Sequence, residues 1–323
     1  MKAAIIHNFG DIPHYEEFPE PVIDQDDLLI KVRAVILENF DKMTVSGKHY
    51  ASKTLFPTFP AVIGHSGVGT LADGTLVSFG GVIPPYGTMA EKAIVPQQYK
   101  QYLSPIPDGV SASMAAALPA SALTSLLPLK YGVRLQSGES VLINGATGVS
   151  GKVAIQIAKL LGAQRVVGTG RNKAGLRSIQ QLGADATIDL GQSDEAITQA
   201  FLQEAGKGYD VVLDFLWGHP TELFMNTLVP KEAGFATHRT RFVQIGEAAG
   251  PTISLPAETL RTSGLEIIGA GNIQPGVISE ALQLIWKWIQ AHQLQIDIEE
   301  VPLKEIAEAW ERKTEEKRIV IIP

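Results

Sequence analysis

Apolar residues in this chain come in short runs, and the spacing of those runs changes near residue 140. Before it, Met1–Ile6, Leu28–Val35, Ala61–Thr70 and Leu76–Phe79 read as short strands, with turns at Asp73-Gly74 and Pro84-Pro85. After it, Val141–Asn144, Arg165–Gly168, Ala186–Asp189, Asp210–Leu213, Arg241–Ile245 and Leu265–Gly269 are compact apolar runs of strand length. Helical segments such as Lys152–Leu161 and Ala174–Leu182 separate the first three. Strand–helix–strand repetition predicts a parallel sheet with right-handed crossovers, and six strands suit a doubly wound Rossmann domain. A helix near Val277–His292, a strand near Ile296–Val301, a helix near Leu303–Lys313 and a last strand Arg318–Ile322 follow. They are expected to return to the first domain and complete it.

Proline sharpens the division. Twelve of the nineteen prolines fall in residues 1–128, and none lies between Leu129 and His219. Proline neither donates to a ladder nor sits easily inside a helix, so the first part suits strands and turns. The boundary falls near residue 120. At 323 residues the chain is long enough for two cores.

Composition removes several functions. A net charge of −7 argues against a nucleic-acid phosphate surface as partner. The opening apolar run is too short for a signal peptide. Ala112–Leu129, the most apolar longer stretch, holds Pro119, Pro128 and several hydroxyl residues, which suits a buried helix better than a membrane span. No membrane partner is expected, and the cytoplasm is the default compartment. There is no cysteine, so disulfides, thiol nucleophiles and thiolate-bound metals are excluded.

The strongest motif runs from Val141 to Gly151, a strand entering glycines at 145, 148 and 151 with a helix directly after. Glycines let backbone amides approach a pyrophosphate, and the helix N-terminus adds partial positive charge. The spacing is Ala-x-Gly-x-x-Gly, one residue short of the dinucleotide fingerprint. Expected cofactor contacts are Ala146, Thr147, Gly148, Val149 and Ser150. An NAD site places Asp or Glu at the end of the second strand, roughly 20 residues on, for the ribose 2′-hydroxyl. Here Gly170 and Arg171 stand there, with Asn172 and Lys173 beyond. A carboxylate repels a 2′-phosphate and a guanidinium clamps it, so NADP(H) is the expected cofactor. Arg171 is its principal contact, with Asn172 or Lys173 in support. A solvated surface role for Arg171 stays open. Further round the sheet, Phe215 and Leu216 follow the fourth strand, and Ile245 and Gly246 end the fifth, at the ligand crevice of an open sheet.

At this point the chain resembles the medium-chain dehydrogenase/reductase superfamily, specifically its zinc-free quinone oxidoreductase-like members. The matching segments are Phe59–Gly69, Pro85–Glu91, and Asn144–Gly162 running on to Leu182–Asp185. The resemblance implies an α/β protein in which a GroES-like β-rich catalytic domain (1–119 and 272–323) accompanies a Rossmann domain (120–271). It implies a cofactor in the cleft between domains and a dimer or tetramer, often through the edge strand around Leu265–Gly271. It also points to Thr124 as a contact of the nicotinamide amide.

Zinc-dependent relatives use a cysteine, a histidine and a third ligand. The first two positions fall here on Glu38 and His65, and the third near Pro119–Ser121, where nothing ligates well. Two ligands do not make a site that needs three, so no metal is expected. Quinone reductase-like relatives commonly carry Asn where this chain has Glu38, with Asn39 beside it. Glu38 and His65 are the leading catalytic candidates: the carboxylate would favour an imidazolium able to protonate the reduced substrate. A satisfied structural pair is the competing reading. Tyr50 and Tyr86 are alternative donors or lid residues, each of which could equally be a packing anchor. Asp41 looks like a local cap. The expected function is hydride transfer from NADPH to a small quinone, enone or related carbonyl compound without zinc. A non-catalytic NADPH-binding protein and a metal-dependent alcohol dehydrogenase are the alternatives.

Overall fold

The computed structural model describes residues 1–323 apart from 25, 207, 231–233, 272–275 and 313–316. In chain order the elements begin with β1 (Lys2–Ile6), β2 (His14–Glu17), β3 (Leu28–Leu37), α1 (Asn39–Val45), α2 (Ser52–Leu55), β4 (Ala61–Val62), β5 (Ser66–Thr70), β6 (Leu76–Gly80), β7 (Lys92–Val95) and β8 (Ser104–Pro105). They continue with α3 (Ala112–Leu126), β9 (Ser140–Asn144), α4 (Val149–Leu160), β10 (Arg165–Gly170), α5 (Lys173–Gln181), β11 (Ala186–Asp189), α6 (Asp194–Ala205), β12 (Val211–Asp214), α7 (Gly218–Thr227) and β13 (Thr240–Gln244). The last are α8 (Ala257–Thr262), β14 (Leu265–Gly269), α9 (Val277–Gln290), β15 (Ile298–Pro302), α10 (Ile306–Glu311) and β16 (Arg318–Ile322). Two compact units result, one of Met1–Ala120 with Ile296–Pro323 and one of Ser121–Gln295.

The first unit is β-rich. Its larger sheet runs β15-β16-β3-β5-β6-β8, with β7 also on β3, and a small sheet runs β2-β1-β4. β3 shows why. Ile30, Val32 and Ala34 are buried alternately, and then Val35, Ile36 and Leu37 are buried without a break. The uninterrupted stretch is where β16 pairs, Leu37 opposite Ile319. There both faces are covered: Val35 and Leu37 join the main core with Ile319, while Ile36 packs with Ala117 and Val320. The chain end therefore completes a sheet that the chain start begins.

The expected single strand Ala61–Thr70 is two strands. Gly64 separates them with φ +90°, and a Cβ on it would lie 2.5 Å from Thr88 Oγ1. The chain turns there, β4 pairing with β1 and β5 with β3 and β6.

The second unit is a parallel six-stranded sheet of order β11-β10-β9-β12-β13-β14. This is the doubly wound Rossmann order, and the strand order reverses between β9 and β12. Its strands are short and apolar because helices cover both faces; Val211, Val212 and Leu213 are all fully buried.

One expectation is corrected here. The return to the first unit is expected at residue 272, itself outside the described residues, yet α9 belongs to the second unit and the division falls at 295/296. Its Glu280 pairs with Lys130 at 3.1 Å, and Gln295 exchanges two hydrogen bonds with Gln156 through its backbone. On the same helix Trp286 and Trp288 are both buried. The 21-residue run Ala112–Gly132 is apolar and long enough to cross a membrane, but 67% of its most apolar window is buried inside the protein.

Candidate functional site

In the second unit, β9 delivers the chain into the glycine turn at the switch point. Gly145 has φ +88°, and a Cβ on it would press on Leu216 at 2.9 Å. Gly151, in the first turn of α4, would place a Cβ 2.4 Å from the Gly145 carbonyl oxygen. Only glycine lets the turn fold back on the helix start this closely. Where the fingerprint has its first glycine of the pair, this chain has Ala146, fully buried. The neighbouring strand makes room: Gly168 on β10 would carry a Cβ 2.9 Å from the Ala146 Cβ. Thr147 is held similarly, because a Cβ on Gly170 would fall 2.2 Å from its Cγ2. The amides of Gly145 and Ala146 are bonded to Thr169, at Oγ1 and the carbonyl. Those of Val149, Ser150 and Gly151 open α4 after the N-cap Gly148 and have no acceptor within the helix. This cradle fits a diphosphate, with donors and a helix dipole aimed at one place.

The neighbouring candidates gather round it. Phe215 and Leu216 press on Gly145, and Gly246 would place a Cβ 2.6 Å from the Phe215 carbonyl oxygen. Ile245 and Gly246 both donate backbone hydrogen bonds to the Asp214 carbonyl. At the end of β10, Arg171 and Lys173 are exposed. Asn172, beside them, is also exposed, and its side-chain oxygen caps α5, accepting from the amides of Ala174 and Gly175 at 2.9 and 3.4 Å. Thr124 is exposed, and its hydroxyl donates to the Ser121 carbonyl of its own helix.

The first unit holds a separate charged cluster. Glu38 stands at the end of β3, as N-cap of α1. His65 follows the Gly64 turn, which the Thr88 amide and hydroxyl clamp through the carbonyls of Gly64 and Ser66. The two candidates do meet, His65 Nε2 lying 3.9 Å from Glu38 Oε2. Two residues to which the sequence assigns no catalytic part complete the group. Asp41, 3% exposed, accepts from the Glu38 amide at 2.9 Å and turns its other oxygen to His65 Nδ1 at 3.4 Å. Arg318 places Nη1 3.4 Å from Glu38 Oε1. The pairing of Leu37 with Ile319 puts Arg318 directly across from Glu38, the cross-strand neighbourhood in which opposite charges attract. Phe40 closes one side, packed edge-on with its ring centroid 4.9 Å from that of the imidazole.

Electrostatics follow from this packing. Burial is the largest influence on His65 and pushes it down, but the hydrogen bond and charge of Asp41 and the charge of Glu38 outweigh it and raise its pKa. Burial also raises Glu38, assisted by Asp41 and opposed by Arg318 and His65. Burial lowers Arg318 against the pull of both carboxylates. His65, partly exposed, is thus the group best able to exchange a proton.

The tyrosines are placed elsewhere. Tyr86 packs its ring edge-on against Phe18, with its hydroxyl toward the Glu20 carbonyl at 3.5 Å, as a packing anchor does. Tyr50 is 93% exposed and stacks on His49.

The chain is similar to several known proteins. A family model described as zinc-binding dehydrogenase matches residues 150–287. An NAD-dependent alcohol dehydrogenase of Sulfolobus acidocaldarius is 26% identical over 83% of this chain and 84% of its own. Quinone oxidoreductase-like protein 2 of Bos taurus is 27% identical over 73% of this chain and 66% of its own length. The quinone oxidoreductase of Thermus thermophilus, whose structures include a complex with NADPH, is 25% identical with complete coverage of both chains and a TM-score of 0.78. The chain is similar in sequence and fold to quinone oxidoreductases and quinone oxidoreductase-like proteins of the medium-chain dehydrogenase/reductase superfamily. The description of that family model names zinc, but the match does not reach the charged cluster. The residues matched, 150–287, contain neither Glu38 nor His65. The donors at those two positions do not fit a zinc ion: the carboxylate already faces a guanidinium, and no cysteine exists to complete a set. Among the described residues no group of three or more His, Cys, Asp or Glu is arranged to hold a metal.

Proposed function

We propose that this protein is an NADPH-dependent oxidoreductase that reduces a small quinone, enone or related carbonyl compound without zinc. The observation that carries the reading is the glycine cradle on α4, closed to about the van der Waals limit at Gly145 and Gly151, with Arg171 and no carboxylate at the end of β10. The Thermus thermophilus relative's complex with NADPH supports it. The Sulfolobus acidocaldarius relative is described as NAD-dependent, so the preference for NADPH rests on Arg171.

Residues 146–150 would hold the diphosphate, Arg171 with Lys173 the ribose phosphate, and Phe215, Leu216, Ile245 and Gly246 the nicotinamide side. The bound dinucleotide supplies a hydride. The chain's own part is orientation and proton supply. Asp41 faces His65 Nδ1, which leaves the Nε2 proton as the one to give. Arg318 opposes the burial that raises Glu38 and so favours its carboxylate form, which in turn favours the imidazolium. We also infer a homodimer or homotetramer formed through the β14 edge, where Ile267 and Ile268 are exposed.

Titration of the purified protein with NADPH and NADH, followed by NADPH oxidation with a panel of quinones and enones, tests the proposal. Arg171→Ala is expected to weaken NADPH binding about tenfold or more, a charge-assisted hydrogen bond being worth roughly 1.5–3 kcal/mol, and to leave NADH nearly unchanged. Absence of binding by either dinucleotide overturns the reading. Binding with no turnover on any acceptor leaves a non-catalytic NADPH-binding role.

A further inference from the structure

Behind the glycine cradle lies a fully buried polar chain that the proposed chemistry does not use. Thr169 on β10 donates through Oγ1 to Asn144 Oδ1 at 2.7 Å while accepting from the Gly145 amide at 2.9 Å. Asn144, the last residue of β9, donates through Nδ2 to Asp214 Oδ1 at 2.9 Å. Asp214, the last residue of β12, also accepts from Thr221 Oγ1 at 2.8 Å, from the Leu216 amide at 3.0 Å and from the Trp217 amide at 3.1 Å. All four side chains are buried, none more than 1% exposed.

A carboxylate taken from water, with no cation facing it among the described residues, is costly unless its lone pairs are met by donors, and here four donors converge on it. What those donors have in common is location. They lie on the glycine turn's strand, on the segment after β12 and on the start of α7. The backbone carbonyl of the same residue takes the amides of Ile245 and Gly246. The segment after β12 is strained: Trp217 has φ +53°, a conformation costing a non-glycine residue about 1–3 kcal/mol. Both Asp214 oxygens reach its amide, which is what holds it there.

The geometry points to Asp214 as the positioning residue of the dinucleotide site, holding the turn at 145–147, the segment 215–217 and the pair 245–246 in one register through its side chain and carbonyl. The inference rests on the dinucleotide reading above. It assigns no contact with the cofactor to Asp214. The carboxylate acts through Asn144 and Thr169 on the turn, and through the amides of Leu216 and Trp217 on the facing segment.

NADPH affinity of Asp214→Asn, Thr169→Val and Thr169→Ser, with amide hydrogen exchange of each, tests it. Asp214→Asn turns one acceptor oxygen into a donor facing other donors. It is expected to weaken NADPH binding at least tenfold and to speed exchange at 144–148 and 215–218 while β13 stays protected. Thr169→Val is expected to weaken binding severalfold, and Thr169→Ser, which keeps the hydroxyl, to restore it. Unchanged NADPH affinity in Asp214→Asn or Thr169→Val, loss of protection spread evenly over the unit, or a serine variant as impaired as the valine one would each overturn it. If Asp214→Asn does not fold, the Thr169 pair decides. A wild-type protein that binds no dinucleotide refutes the dinucleotide reading instead.

Discussion

A histidine with a carboxylate on each ring nitrogen has its proton inventory set by its neighbours, and His65 is such a residue, facing Asp41 at Nδ1 and Glu38 at Nε2. Its raised pKa gives a definite sign. An imidazolium that must donate a proton stays available to higher pH than an ordinary histidine, near 6.5, would allow. Turnover is therefore expected to persist to higher pH than an ordinary histidine would support, and to fall as pH rises through the folded-state value. Asp41→Asn should move that fall to lower pH, and His65→Gln should lower kcat about 100-fold or more with NADPH affinity intact. A pH profile of kcat for the three proteins checks this; an unmoved profile in Asp41→Asn removes the pairing from the chemistry. The linkage to folding has the same direction, since the folded pKa lies above the unfolded one. The contribution of His65 to stability is complete below about 6.5 and is lost as pH rises through the folded value. At this scale the sequence made Glu38 and His65 legible through their place in a motif. It carried no signal for Arg318, which is 280 positions from Glu38 and reaches it only because β16 pairs with β3.

Elements explain why the glycine turn was readable and why its details were not. A strand, three glycines and an apolar helical stripe are local signals, and β9 and α4 form where they indicate. The substitution of alanine for glycine at 146 is answered by Gly168 on another strand, a compensation between elements that no spacing rule contains. Gly168→Ala is expected to act as an overpacking change, its Cβ meeting Ile179 Cδ1 at 2.5 Å and the Ala146 Cβ at 2.9 Å. A stability loss of about 1–3 kcal/mol in denaturant unfolding is expected, with weaker NADPH binding. Full stability and affinity in that variant would show the fit to be looser than the distances state. Asn172 has a further role that only the element shows. The residue before a helix is a favoured cap, and its amide oxygen serves α5.

Over the whole molecule, each unit has its own core, and the chain crosses between units twice. The second crossing is misplaced by the sequence pattern because α9 is as amphipathic as a helix of either unit would be. The residues that hold this part of the chain to the second unit, Lys130 and Gln156, lie far away in sequence. The edge strand β14 carries the prediction at this scale. Glu266, Ile267, Ile268 and Gly269 are all exposed, and Ile267 and Ile268 put two β-branched apolar side chains on an unpaired parallel edge. Ile267→Lys with Ile268→Lys is expected to convert a dimer or tetramer to monomer in sedimentation velocity while dinucleotide binding persists. An unchanged sedimentation coefficient would move the interface elsewhere.

The alternation of strand and helix, the glycine turn, the missing cysteines and the guanidinium in place of an acidic ribose contact were all decided by the sequence itself, because each depends on residues within one turn or one short period. Tertiary structure alone decided that Arg318 joins Glu38, that Asp214 underlies the cradle, and that α9 stays with the second unit. Those are contacts between segments distant in the chain, created when β16 meets β3 and β12 meets β9, and the pattern along a single strand carries no information about its neighbour.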